Sequence, residues 1–209
     1  MLKLYEFPPT RSIRARWTLQ ELGVPFESVW IDGRKGEFRR PDFLKLNPAG
    51  KIPVLVDGEL VLNESVAICL YLAEKYPHGG LLPSDFATRT ELNRWLWFTV
   101  TELEQPLWRR ARHTFLYPPE KRSPEDIALA AEDFAPMAAV MEEHLSGRQF
   151  VVGDRFSIGD IVLAYTLDWA DTEELLAELP SSRAYLERMY ARPNAATRIA
   201  PAFASLPPV

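Results

Sequence analysis

The sequence predicts two domains of different class: an α/β domain of order βαβαββα over residues 1–77 and an all-α helical bundle over residues 87–209, joined by a linker at 78–86. Three observations predict it. Short apolar runs of strand character alternate with runs of helical period up to about Tyr76. Within that part, Asn47 to Ser65 holds a loop, a hairpin and a helix start in close succession. Beyond the turn-rich His78-Gly79-Gly80-Leu81-Leu82-Pro83-Ser84 the periodicity is uniformly helical, and no strong alternating run returns.

Leu2 to Phe7 alternates apolar with polar or amphipathic residues and stops at Pro8-Pro9, where two missing N–H groups end strand pairing. Thr10 and Ser12 bring hydroxyls to the junction with a first helix, whose apolar positions recur from Ile13 to Leu22 until Gly23-Val24-Pro25. Phe26 to Ile31 reads as a second strand, Gly33 to Glu37 as a polar loop and Pro41 to Leu46 as a short helix. Pro53 then opens the run Val54 to Val56, since proline tolerates the start of a strand but not its interior. Asp57-Gly58 is a two-residue hairpin signal ahead of Leu60 to Leu62. Asn63-Glu64-Ser65 precedes the apolar run of a third helix, which reaches about Tyr76 and leaves backbone donors free at its start.

In the second domain, Arg89 to about Thr114 reads as one long amphipathic helix kinked by Pro106. Ser123-Pro124-Glu125 opens a helix to about Leu145, with proline at the first helical position. Ser157-Ile158-Gly159-Asp160 has capping-box spacing before the apolar run Ile161 to Leu167, so Asp160 reads as a structural cap and not as a catalytic acid. The tail Pro201 to Val209 is proline-rich and reads as loosely held.

Composition excludes several partners. At 209 residues and 47% apolar, the chain can bury a sizeable core. A net charge of −5 lacks the basic footprint of nucleic-acid binders. No apolar run approaches the ~18 residues needed to span a bilayer, and the N-terminus has no signal-peptide layout. No nucleic acid and no membrane are therefore expected, and a cytoplasmic location follows. The lone Cys69 fits a reducing compartment and sits on an apolar helical stripe, as a core residue would. His78, His113 and His144 have no ligand spacing and the carboxylates make no cluster, so no metal is expected. Gly33 and Gly36 lack the setting of a phosphate-binding loop.

The order Asn47-Pro48-Ala49-Gly50-Lys51-Ile52-Pro53, then a hairpin, then Glu64-Ser65 opening a helix, resembles the cytosolic glutathione S-transferase superfamily, in its bacterial serine/threonine or beta-like forms. The capping box at Ser157 also matches the all-α domain of that family. The resemblance covers nearly the whole chain and implies a thioredoxin-like first domain, with Pro53 in the cis form. It also implies that Ile52 pairs its backbone with the cysteinyl part of glutathione. Glu64 and Ser65 would hold the γ-glutamyl ammonium and carboxylate, and Lys51 would reach the glycyl carboxylate.

A transferase of this kind must ionise a thiol whose free pKa is about 8.5, if it behaves like cysteine. Lowering it by ~2 units takes about 2.7 kcal/mol of preferential stabilisation of the anion. One hydroxyl donating to the charged sulfur contributes ~1.5 to 3 kcal/mol, and a helix N-terminus adds ~0.3 to 2 kcal/mol. A single hydroxyl at the start of the first helix is therefore sufficient. Thr10, Ser12 and, on the strand, Tyr5 are the candidates; Thr10 and Ser12 stand equal, and either can instead cap the helix. Trp108, Arg109, Arg112 and His113, with Phe115 and Tyr117 nearby, are candidate walls of a second-substrate pocket, or else an aromatic core stripe with a solvated basic face.

The function implied is a homodimeric detoxification transferase that adds glutathione, as co-substrate, to small electrophilic apolar molecules. Reduction of disulfides or peroxides by glutathione at the same site stays open, as does a non-enzymatic interaction module of the same fold.

Overall fold

The computed structural model describes residues 1–208; Val209, the end of the proline-rich tail, lies outside the described residues. Two compact units form, Met1–Leu82 with Tyr190–Val209, and Pro83–Met189.

The first unit is built on four strands, β1 (Leu2–Glu6), β2 (Phe26–Trp30), β3 (Val54–Asp57) and β4 (Leu60–Asn63), in the order β2-β1-β3-β4. β1 is parallel to β2 and antiparallel to β3, and β3 is antiparallel to β4. With helices α1 (Ser12–Leu22), α2 (Pro41–Leu46) and α3 (Ser65–Lys75), this is the βαβαββα order read from the sequence. Period-two alternation decides which side chain goes where. Leu2, Leu4 and Glu6 are buried, and Arg16 of α1 grips the Glu6 carboxylate. Tyr5 leaves the opposite face, where Ile31, Val54 and Phe43 of α2 form a core.

Two local features differ from the sequence reading. The hairpin loop is Gly58-Glu59, because Asp57 still pairs with Leu60 in the ladder. Asp57 stays there since its carboxylate is held by the Tyr71 hydroxyl at 2.6 Å and by Lys75, while Gly58 takes the positive φ of 61° that starts the turn. The segment after β2 is not plain loop but two short 3-10 turns, Gly33–Lys35 and Glu37–Arg39, the first capped by Asp32.

In the second unit, α4 (Phe86–Phe98) and α5 (Glu104–Ala111) form the expected long helix, but π turns at Thr99–Leu103 and Arg112–Leu116 interrupt it. Pro106 has no N–H to return to the preceding turn, and the wider turn just before it accommodates that missing bond and the ring. α6 (Pro124–Leu145) starts at Ser123, whose hydroxyl accepts from Asp126 N, and stops before Gly147 as its sequence predicts. α7 (Ile158–Thr172) is buried on every side from Ile158 to Asp168, which explains its continuous apolar run. Its capping box is formed, and the fully buried Asp160 also accepts from Val151 N at 2.8 Å and the Tyr185 hydroxyl of α8 (Pro180–Tyr190) at 2.7 Å.

The chain after Met189 belongs to the first unit. Arg192 makes a two-pronged pair with Glu21 of α1 at 2.8 and 2.9 Å, and the Tyr190 ring lies 4.8 Å from that of Trp17. The tail is less loose than its prolines suggest: α9 (Ile199–Ala204) runs into it, and Arg34 donates to the Pro207 carbonyl at 3.0 Å.

Candidate functional site

Strand directions bring three chain segments to one end of the sheet. β1 ends there, and because β3 runs antiparallel to both neighbours, it starts there and β4 ends there. The loop 7–11 into α1, the stretch Lys51-Ile52-Pro53 into β3 and the turn Asn63-Glu64 into α3 therefore share that end. α1 and α3 pack together, and their N-termini are joined by a hydrogen bond from Arg14 Nη1 to Ser65 Oγ at 3.2 Å.

At the start of α1 the two hydroxyls have different duties. Ser12 is 1% exposed; its Oγ accepts from Phe7 N at 3.2 Å and lies 3.2 Å from Phe7 O and 2.8 Å from Thr10 Oγ1. Thr10 is half-buried; its Oγ1 donates to Phe7 O at 2.6 Å and accepts from Ser12 N at 3.3 Å. Neither caps the helix in the usual way, since Arg11 holds the cap position without a side-chain bond. Phe7 O can take the Ser12 proton, and Ser12 can also donate to Thr10. In this arrangement the Thr10 proton lies on Phe7 O; turned outward it can donate to an anion, and Ser12 Oγ, 3.2 Å from Phe7 O, can then satisfy that carbonyl.

On the other side, the Ile52–Pro53 peptide is cis, the isomer the resemblance implies; the Pro8–Pro9 peptide is also cis. Lys51 is exposed, Ile52 half-buried and Pro53 buried. Asn47, only 4% exposed, holds this loop: its Nδ2 donates to Lys51 O at 2.7 Å and its Oδ1 accepts from Ala49 N at 3.1 Å. Gly50 is required at φ 60°, and a Cβ there would sit 2.9 Å from Phe38 O. Glu64 is exposed with φ 66°, an unusual value for a residue other than glycine, and it opens α3 without a side-chain cap. The first donors of α3 thus stay available for an anion. Behind them Cys69 is fully buried, and burial pushes its thiol up to about 11. It remains an unreactive core thiol at neutral pH.

The remaining sequence candidates lie elsewhere. Tyr5 stands on the α2 face of the sheet, lining an apolar cavity of about 360 Å³ with Ile31, Phe43 and Leu46. Trp108, Arg109, Arg112 and His113 lie in the second unit. Trp108 is half-buried and meets Trp169 edge-on, with ring centres 6.5 Å apart. Arg109 pairs with Asp126 and Asp133, Arg112 with the Tyr117 hydroxyl, and His113 Nδ1 accepts from Ser123 N. The bonds of Arg109 and His113 tie the end of the long helix to Ser123 and the first half of α6. Sequence reasoning missed Arg14 and Asn47 as partners of the site. A charged residue on the stripe it shares with Trp17 and Thr18, and an asparagine three residues ahead of a glycine turn, were the available signals. Among the described residues, no group of three or more His, Cys, Asp or Glu is placed to hold a metal ion, and no helix is long and apolar enough to cross a membrane.

Comparison with known proteins gives a consistent result. Residues 1–74 match the family model "Glutathione S-transferase, N-terminal domain", and residues 124–188 match "Glutathione S-transferase, C-terminal domain". Glutathione S-transferase F10 of Arabidopsis thaliana is 39% identical over 155 residues, 72% of each chain. Glutathione S-transferase 3 of Zea mays is 35% identical over 206 residues, 92% of this chain and 90% of the relative. Among solved structures, a glutathione transferase family member from Pseudomonas fluorescens with two glutathione bound superposes with a TM-score of 0.81 at 25% identity, covering 93% of this chain and 90% of that one.

Proposed function

Because this chain belongs to the glutathione S-transferase superfamily, we propose that it joins the thiolate of glutathione to small, apolar electrophiles, with Thr10 as the hydroxyl that holds the anionic sulfur. The observation that carries the reading is the meeting of two helix N-termini, α1 and α3, at one end of the sheet beside the half-buried Ile52 backbone. A tripeptide with a carboxylate at each tip and a thiol midway fits that arrangement: an uncapped α3 with Ser65 and Glu64 at one tip, Lys51 at the other, and Thr10 between them. Ser12 fits the thiol less well, because its oxygen is already enclosed. Its role is to orient Thr10. Substrate positioning and donation to the thiolate supply the rate; the new carbon–sulfur bond forms as the electrophile's leaving group departs with its electron pair. Two copies pairing form part of the same proposal, supported by Phe86 and Trp97, 87% and 65% exposed and three turns apart on one face of α4.

Replacing Thr10 by valine keeps the shape and removes the donor. The expected result is a drop of about a hundredfold in kcat/KM with a chloronitrobenzene substrate, together with a rise of ~1 to 2 units in the pKa governing its pH profile. A variant with wild-type rate and pH profile removes Thr10 from the mechanism.

A further inference from the structure

Two rungs join α1 to α3, one helical turn apart. The lower rung is neutral: Thr18 Oγ1 and Cys69 Sγ hydrogen-bond at 3.2 Å. Four residues earlier on both helices, the upper rung is charged, Arg14 Nη1 donating to Ser65 Oγ at 3.2 Å. Arg14 is 1% exposed and among the largest fully buried side chains of the chain. A hydroxyl or amide in its place would satisfy Ser65 equally well, as Thr18 does for Cys69. Burying a guanidinium is far more costly than burying either, so satisfying Ser65 does not by itself account for it.

Proton placement says what the charged rung does. A guanidinium donates and never accepts, so the Ser65 oxygen is the acceptor in this bond and its own proton is turned away from Arg14. Ser65 is the first residue of α3, where no side chain caps the backbone donors and where the helix end favours an anion. We infer that Arg14 is a positioning residue that fixes Ser65 as a donor toward the α-carboxylate of the γ-glutamyl group and places a buried positive charge behind it, making that carboxylate the feature by which this site selects its ligand. The inference rests on the reading of Ser65 given under the proposed function.

Calorimetry tests it with two ligands, glutathione and 4-aminobutanoyl-cysteinylglycine, which keeps the amine, thiol and glycyl end and lacks only the α-carboxylate. In Arg14→Met the Kd for glutathione should rise about ten- to hundredfold, and that for the analogue should stay within about twofold. Adding Ser65→Ala to Arg14→Met should cost nothing further. Equal weakening of both ligands, or an unchanged glutathione Kd, overturns the inference. If Arg14→Met does not fold, Arg14→Lys decides: it keeps the charge but loses the bond that turns Ser65, and its preference for glutathione over the analogue should fall at least threefold. A wild-type preference in Arg14→Lys overturns it. Should Ser65→Ala alone leave glutathione binding intact, the reading of the site fails and this inference with it. Failure confined to the Arg14 variants leaves that reading standing.

Discussion

Ser12 and Thr10 sit two residues apart and carry the same functional group, yet their surroundings assign them opposite work. Ser12 accepts from Phe7 N in a place water does not reach. Ser12→Ala therefore leaves a buried N–H without a partner, and the expected cost is about 1–3 kcal/mol of stability. The loss in kcat/KM should be smaller than that of Thr10→Val. Thermal unfolding and conjugation rates on the two variants check this pairing; a stability loss in Thr10→Val with little rate effect, and the reverse in Ser12→Ala, would exchange their roles. The sequence put both hydroxyls at the junction of β1 and α1 but could not rank them, since burial at this loop is decided by the fold of β1 and α1 around Phe7. The loop, hairpin and helix start that carry Lys51, Ile52, Pro53, Glu64 and Ser65 were legible because turn chemistry fixes their spacing locally; the roles proposed for them come from the family resemblance. Arg14 was not, because its partner lies 51 residues away.

Among the elements, the capping box of α7 was readable from four residues, while the start of α8 was not. Its first donors are met from another helix: Glu142 of α6 accepts from Ser181 N, Ser182 N and the Ser182 hydroxyl at 2.7, 2.8 and 2.7 Å. Burial pushes the Glu142 carboxyl up, but the Ser182 hydroxyl and the two N–H groups outweigh it and hold the carboxyl below its ordinary range. A depressed carboxyl pKa contributes stability that is present above the unfolded value of about 4.3 and is lost as pH falls through the folded one. Glu142→Gln should therefore cost about 1–2 kcal/mol near pH 7, and its gap in melting temperature from the wild type should close as the pH is lowered below about 4. A gap that does not change with pH would assign the effect to packing. The π turns in the long helix were hidden for a related reason. Sequence marks Pro106 as a break, but whether the chain kinks or widens depends on what α6 and α7 pack against it.

At the scale of the whole molecule, composition and periodicity yielded the two-part organisation, and the change from alternating to helical period near residue 80 lies close to the unit boundary at Leu82. The proposed pairing of copies belongs to this scale. Phe86→Glu with Trp97→Glu should shift sedimentation from a dimer to a monomer while circular dichroism stays unchanged. A dimer that persists moves the interface elsewhere. The return of residues after Met189 to the first unit was not legible, because the contacts that draw it back, Arg192 to Glu21 and Tyr190 to Trp17, join positions more than 170 residues apart.

That return sets an order on biosynthesis. Until Arg192 is made, the Glu21 carboxylate, 5% exposed in the finished protein, lacks its two-pronged partner. The sheet and its helices must wait through the synthesis of the entire helical unit before the last twenty residues arrive to neutralise that charge. Removing the chain after Met189 would thus weaken a unit built mostly from residues 1–82.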